Sequence, residues 1–537
     1  MADELSRSKR ELVLHGHEAP YYVAAAARGT DIDEVAARYG AITADNHRAD
    51  RRLQVEVRVG SYEFDNTGNA EVYDFDAADS AYAAPRDAAI DDDPRALKNA
   101  IWLQADEQYK RALSAYLKKK GKEIYRPDDP ERPASFSREP PQVSIATPIV
   151  APFDHEAWKA ELRAQSERIV QQADIFDSLL RVSVERHRSL FASTEGARLV
   201  QESVLYGVTL QAWARAPDGM LLEQSRSIYA ATEAGLPKGK ALAGVVDQLV
   251  DELLALRKAP VLDPYTGPAL LLPEAAGVLF HEAVGHRLEG ERQNDDKDGH
   301  TFKGQVGKAI LPTFLSISDD PTRAQWNGEP LNGVYDFDEQ GVAAQRAQLV
   351  KDGVLQGFLL SRAPVAGFPR SNGHGRAQPG RDPQARMANL IVESSKAVPF
   401  ETLKGMLQAE AKKQGKPFGL IIRDVAGGNT DTSGYAYQAF KGQPRLVYKL
   451  DAQTGEATLV RGVEVVGTPL TVIGKIVATG DDARVFNGFC GAESGYVPVS
   501  TVAPSVLVTE MELQRTRKDS GRPPLLPSPL APAAVKK

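Results

Sequence analysis

Between Gly277 and Arg292 the chain reads GVLFHEAVGHRLEGER, with His281 and Glu282 ahead of a second histidine, His286, five residues after the first. This spacing constrains local folding more than any other feature of the sequence. The segment has helical patterning: Pro273 suits a first turn, and Ala276, Leu279, Phe280, Ala283 and Val284 supply apolar positions. A helix advances about 100° per residue, so histidines four apart lie about 40° from each other and histidines five apart about 140°. The wider angle prevents both from reaching one metal ion on a regular α-helix. A single π-type turn restores the match, because i+5 becomes its same-face spacing, and such turns recur at functional sites. Gly285, directly before His286, eases local distortion. The stretch is therefore either a metal site with a widened turn or two neighbouring histidines with no shared role.

The chemistry fits a metal. Neutral imidazoles are good zinc ligands, and a glutamate beside the first histidine can accept a proton from a metal-activated water. Catalytic zinc takes three protein ligands and leaves one position open. The third ligand has three candidates: Glu289, three residues beyond His286; His300, in NDDKDGHTFKG; and the single cysteine, Cys490, in FNGFCGAESGYVPVS. Each also has a plain structural reading: a solvated helix residue, a loop histidine, and a small buried hydrophobe.

Composition narrows the remaining classes. A chain of 537 residues is too long for one ordinary core, so two large domains are expected. The formal net charge of −7 argues against a duplex nucleic-acid partner, which needs a basic face. Lys118, Lys119, Lys120 and Lys122 cluster at the end of a helical pattern and read as a solvated helix terminus favoured by the macrodipole. No run of about 18 apolar residues is present, so no membrane-spanning helix is expected. The start of the chain does not read as a signal peptide, which implies a cytoplasmic location, or export if a leader was removed. One cysteine forms no intramolecular disulfide. Neither a G-x-S-x-G elbow nor a G-x-x-x-x-G-K-[ST] loop occurs, which disfavours serine hydrolases and nucleotide enzymes. Asp295, Asp296 and Asp298 lack the glutamate an EF-hand loop needs and read as a polar loop. His15 and His17 lie near a terminus and carry no expected role.

The expected fold is α+β. Residues 1–260 read as an α/β domain, with an exposed Pro-rich loop at about 121–145. Its markers are a short helical pattern from Asp31, alternation at Leu53, Val55, Val57 and Val59, and a helix with Ile101, Ala105, Tyr109 and Leu113 on one face. A second helix is capped by Asp154, strands follow with a Pro-Asp-Gly turn, and a helix near residues 236–259 closes the domain. Residues 261–520 read as a β-rich catalytic domain, a curved antiparallel sheet or open barrel carrying the metal-binding helix. Residues 521–537 are a Pro-rich tail, expected to be disordered.

FHEAVGHRLEGE resembles the metal motif of the TldD/PmbA metallopeptidases, also called the modulator of DNA gyrase family. FNGFCGAESGYVPVSTVAPSVLVTEMEL is similar to that family's cysteine segment, and SNGHGRAQPGRDPQARMANLIVE to its R-M-x-N segment, here Arg386, Met387 and Asn389. VAGGNTDTSGYAYQAF and YKLDAQTGEATLVRGVEVVG resemble the Gly-rich strands between them, and the likeness extends more diffusely into the first half. The resemblance implies His281, His286 and Cys490 as ligands of one zinc ion per chain and Glu282 as general base. It implies hydrolysis of short or unfolded peptides by a TldD-type active subunit, in a homodimer or in a heterodimer with a motif-lacking homologous subunit. A non-catalytic scaffold subunit and a zinc amidase acting on modified peptides are the alternatives. His374, Arg386 and Tyr435 are candidates for binding substrate at the oxyanion.

Overall fold

The computed structural model describes residues 1–67, 86–123, 133–294, 300–430, 440–467, 469–516 and 529. Its fold is α+β: an α/β N-terminal region is followed by a β-rich part. The first sheet is built on long antiparallel strands, Pro20–Arg38, Ala41–Val59, Ile175–Ser193, Arg198–Arg215 and Leu221–Ala230. Leu53, Val55, Val57 and Val59 alternate inward, as their period-2 pattern requires. They meet the buried face of the helix Pro94–Glu123, where Ile101, Ala105, Tyr109 and Leu113 line up. The helix His155–Val170 is capped by Asp154, whose Oδ1 accepts from Ala157 N at 3.0 Å. Pro217-Asp218-Gly219 turns the last hairpin, with Gly219 at φ +89°.

Three local expectations are corrected. The helical pattern from Asp31 lies inside the strand Pro20–Arg38. Tyr39 and Gly40, at φ +53° and +74°, form a two-residue turn that sends the chain straight back. Residues 24–37 are then paired on both edges, by 41–59 and by 175–193, and this pairing overrides helix propensity. In the Pro-rich stretch, Val143–Ile145 forms a short parallel strand against Arg198–Val200, with Val143 and Ile145 exposed; residues 124–132 lie outside the described residues. Within the lysine cluster, Lys119 is buried. Its Nζ donates to Thr67 O at 2.6 Å and sits 4.6 Å from the Phe64 ring centroid, a contact favourable to a cation.

The β-rich part holds two larger sheets. In one, Tyr265–Leu271, Phe418–Thr430, Phe440–Asp451, Val463–Gly467 and Val506–Arg515 pair in turn, and the last pairs back onto the first, closing a five-stranded barrel. The other runs Val354–Leu355, Ala347–Lys351, Leu315–Asp319, Asn389–Ser394, Gly495–Ala503, Arg484–Ala492. Pairing is mixed: Tyr265–Leu271 lies parallel to Phe418–Thr430, and Asn389–Ser394 parallel to Gly495–Ala503. Parallel neighbours need long crossovers, and these two pairs are joined by 146 and 100 residues. Leaving the barrel strand Tyr265–Leu271, the chain enters a helix at Pro273 that runs between barrel and sheet. Leu279, Phe280, Ala283, Val284 and Leu288 are all buried there, and a Phe or Leu side chain fully removed from water contributes about 1.5–3 kcal/mol. The tail from residue 521, apart from Pro529, is outside the described residues. No described helix is long and apolar enough to cross a membrane.

Candidate metal centre

The central helix changes pitch at the motif. Pro273–Phe280 is α-helical, His281–Gly285 forms a π-turn, and His286–Leu288 tightens to 3₁₀. The widened turn predicted from the five-residue spacing is present. It puts both imidazoles on one side, ring centroids 5.0 Å apart and planes at 89°. Gly285 has a role other than the expected one. Its backbone is ordinary right-handed helix, φ −53° and ψ −58°, so no special flexibility is used. A Cβ at Gly285 would instead lie 2.0 Å from Met387 Sδ, so the glycine provides space for that side chain.

Cys490 reaches the same point from the strand Arg484–Ala492, an edge of the six-stranded sheet. Its neighbours Phe489 and Gly491 are exposed and Cys490 is buried, the alternation of a strand with one face inward. Cys490 Sγ lies 3.1 Å from His281 Nε2 and 3.4 Å from His286 Nε2. With zinc–sulfur bonds of about 2.3 Å and zinc–nitrogen bonds of about 2.0–2.1 Å, a tetrahedral site separates such donors by about 3.5 Å. One ligand atom from each of the three residues falls within 4.8 Å of the other two. Donor type and spacing thus fit a zinc ion.

The electrostatics agree. Burial pushes the Cys490 thiol up, but the His281 and His286 imidazoles outweigh it and bring it well below its ordinary value. Burial lowers His286, while Glu289 and Cys490 outweigh that and raise it well above the usual imidazole range. Glu289 is buried, which pushes it up, yet His286 and Arg292 dominate and hold it at about 2. As a carboxylate, Glu289 accepts from His286 Nδ1 at 3.1 Å, leaving Nε2 to face Cys490. Glu289 therefore stands behind a histidine, and the solvated-helix reading is replaced by a buried one. His300 is not part of the cluster.

Glu282 shares the widened turn and is 7% exposed. Gly428 of the strand Phe418–Thr430 closes over it: a Cβ there would lie 2.6 Å from Glu282 Cγ. Two of the expected substrate contacts are buried. His374 is fully buried, with Nδ1 2.9 Å from Asn372 Oδ1 and Nε2 3.3 Å from Asp319 Oδ1. Asp319 also accepts from the Ala388 and Asn389 amides, so His374 belongs to a structural network. Arg386, 1% exposed, donates to the Cys490, Gly495 and Ser494 oxygens. Tyr435 lies outside the described residues, as do Asp295, Asp296 and Asp298. Sequence reasoning missed the placement of Glu289 behind His286 and of Arg386 against the Cys490 carbonyl; a polar residue three after His286 was the available signal for the first.

A second group of potential ligands, Asp31, Asp33 and His47, lies on the N-terminal sheet. Arg186 Nη1 is 2.7 Å from Asp31 Oδ1 and 2.7 Å from Asp33 Oδ2, so a cation already serves these carboxylates. The group reads as an ion-pair network.

Residues 264–515, just under half of the chain, match the family model described as the PmbA/TldA metallopeptidase C-terminal domain. The chain is 28% identical over 357 residues to a metalloprotease of Archaeoglobus fulgidus, covering 65% of this chain and 76% of that one. A zinc metalloprotease TldD homolog of Saccharolobus solfataricus is 24% identical over 277 residues, covering 51% of this chain and 56% of that one. Other matches, including a TldD homolog of Haemophilus influenzae, span about half of the relative's length. The solved structure of TldE from Thermococcus kodakarensis shares the fold at a TM-score of 0.59 and 13% identity, covering 92% of this chain and 97% of that one.

Proposed function

We propose that this chain is a zinc-dependent metallopeptidase acting on short or unfolded peptides, with His281, His286 and Cys490 holding one zinc ion and Glu282 as general base. The observation that carries this reading is the meeting of Cys490 Sγ with both imidazoles at 3.1 and 3.4 Å. Relatives named as metalloproteases, one of them as a zinc metalloprotease, support the same chemistry. Bound there, zinc supplies a Lewis acid that polarises a peptide carbonyl and acidifies water.

The chain's own residues supply the rest. Glu282, adjacent to His281 and backed by Gly428, takes the proton of the attacking water and returns it to the departing amine. Glu289 keeps the His286 proton on Nδ1, so that Nε2 presents its lone pair. The thiolate form of Cys490 is favoured before any metal arrives. The division into parts near residue 260, and pairing with a second copy or a motif-lacking homologous subunit, belong to this reading. The likeness to a TldE structure is compatible with the latter. The donor cluster disfavours a purely scaffolding role, for which two histidines and a cysteine need not converge.

The test is a mass-spectrometric digest of unfolded peptides. Cleavage is expected with the intact chain, lost with chelator and restored by zinc; cleavage unaffected by chelator contradicts the proposal.

A further inference from the structure

Two successive residues, Arg386 and Met387, reach both elements that carry the donor atoms. Arg386 Nη2 donates to the Cys490 carbonyl at 2.7 Å. Its Nη1 donates to Ser494 Oγ at 2.8 Å and Gly495 O at 3.0 Å, clasping the turn that follows the cysteine strand. Its Nε lies 3.4 Å from Glu289 Oε1, an ion pair without hydrogen-bond alignment, and that oxygen faces His286 Nδ1. Met387 fills the space left by Gly285 in the widened turn, between the two histidines. The cysteine strand and the histidine helix come from distant parts of the chain, and this pair spans the gap between them.

We infer that Arg386, assisted by Met387, is a positioning residue that fixes Cys490 against His286. One guanidinium holds the cysteine's carbonyl and the carboxylate that orients the histidine. The inference rests on the reading of His281, His286 and Cys490 as metal ligands. A buried charge of this kind is costly unless partnered. Here its partners are the main chain of one ligand and the hydrogen-bond acceptor of another, so removing it loosens the donor set without removing a donor. Outer groups of this kind characteristically change metal affinity about 10–100-fold.

The experiment compares the full chain with Arg386→Gln, Arg386→Lys and Glu289→Gln. Zinc affinity is measured by competition with a chromophoric chelator, and the cobalt-substituted protein by its thiolate charge-transfer absorption. The wild type is expected to bind one equivalent of metal with a thiolate band. Arg386→Gln is expected to bind zinc about 10–100-fold more weakly, with an altered band and an unchanged far-ultraviolet circular dichroism spectrum. Arg386→Lys is expected to recover part of the loss, since a lysine reaches one acceptor without the guanidinium fork. Glu289→Gln keeps the Cys490 contact and is expected to lose less than Arg386→Gln. Wild-type affinity and band in folded Arg386→Gln overturn the inference. Should that variant fail to fold, wild-type behaviour of both Arg386→Lys and Glu289→Gln overturns it equally. A wild-type chain with no thiolate band removes the metal reading itself and the inference with it, an outcome distinct from equal behaviour of wild type and variants.

Discussion

His281 Nε2 and Cys490 Sγ are 3.1 Å apart across 209 residues of chain. The barrel strand before the helix fixes one of them, and an edge strand of the neighbouring sheet fixes the other. A helix with a widened turn and a strand with one inward face thus meet at a set of three donors.

Glu282→Gln separates binding from chemistry. The amide keeps the size of the carboxylate and cannot accept the proton. Metal content should be unchanged and peptide turnover should fall about 10²–10⁴-fold, the range of general-base contributions. Metal analysis beside a peptide digest checks this, and undiminished turnover removes Glu282 from the mechanism.

Cys490→Ser removes the sulfur donor. Zinc affinity should fall by more than the about 10–100-fold expected for loss of an outer group. Chelator competition reads the change; an unaltered affinity hands the third position to another residue.

Gly285→Ala places a methyl group where Met387 Sδ already lies, 2.0 Å from the new carbon. Such overpacking costs about 1–3 kcal/mol. The urea midpoint should drop accordingly, and adding Met387→Ala should recover part of the loss. Stability equal to wild type would show that the turn relaxes freely.

Much of this region is legible in sequence because it is local. The five-residue spacing of His281 and His286 carried the prediction of a widened turn, and apolar periodicity located the helices around Ile101 and after Asp154. Long-range facts are not encoded that way. Closure of the barrel depends on Val506–Arg515 meeting Tyr265–Leu271, and no short pattern announces that meeting. Spacing left Glu289, His300 and Cys490 as rival third ligands, and family resemblance pointed to the cysteine. Nothing local reveals that the guanidinium of Arg386, one of three candidates for the oxyanion donor, points at the Cys490 carbonyl. Around Asp31, helical periodicity misled because strand partners on both sides decide the conformation.

Asp65 governs an acid-sensitive part of stability in the N-terminal sheet. Burial pushes its carboxyl up, but Arg58, 2.8 Å away, and Thr67 outweigh it and lower its pKa below the ordinary value. A depressed folded-state pKa contributes stability above the unfolded value of about 3.9, and that stability is lost as pH falls through the folded value. Asp65→Asn removes one of the two carboxylate partners of buried Arg58 and leaves Glu56 at 2.6 Å, so the cost should stay below the about 3–5 kcal/mol of an unpaired buried charge. Urea midpoints measured from neutral pH downward should fall for the wild type in acid and start lower but vary less for the variant. Parallel curves would contradict this assignment.

The most direct measurement is zinc X-ray absorption on the purified full chain. The account predicts about one sulfur at about 2.3 Å and nitrogen scatterers at about 2.0–2.1 Å, with the sulfur shell lost in Cys490→Ser. A metal-loaded chain whose spectrum has no sulfur shell, or has one that survives in Cys490→Ser, would contradict it.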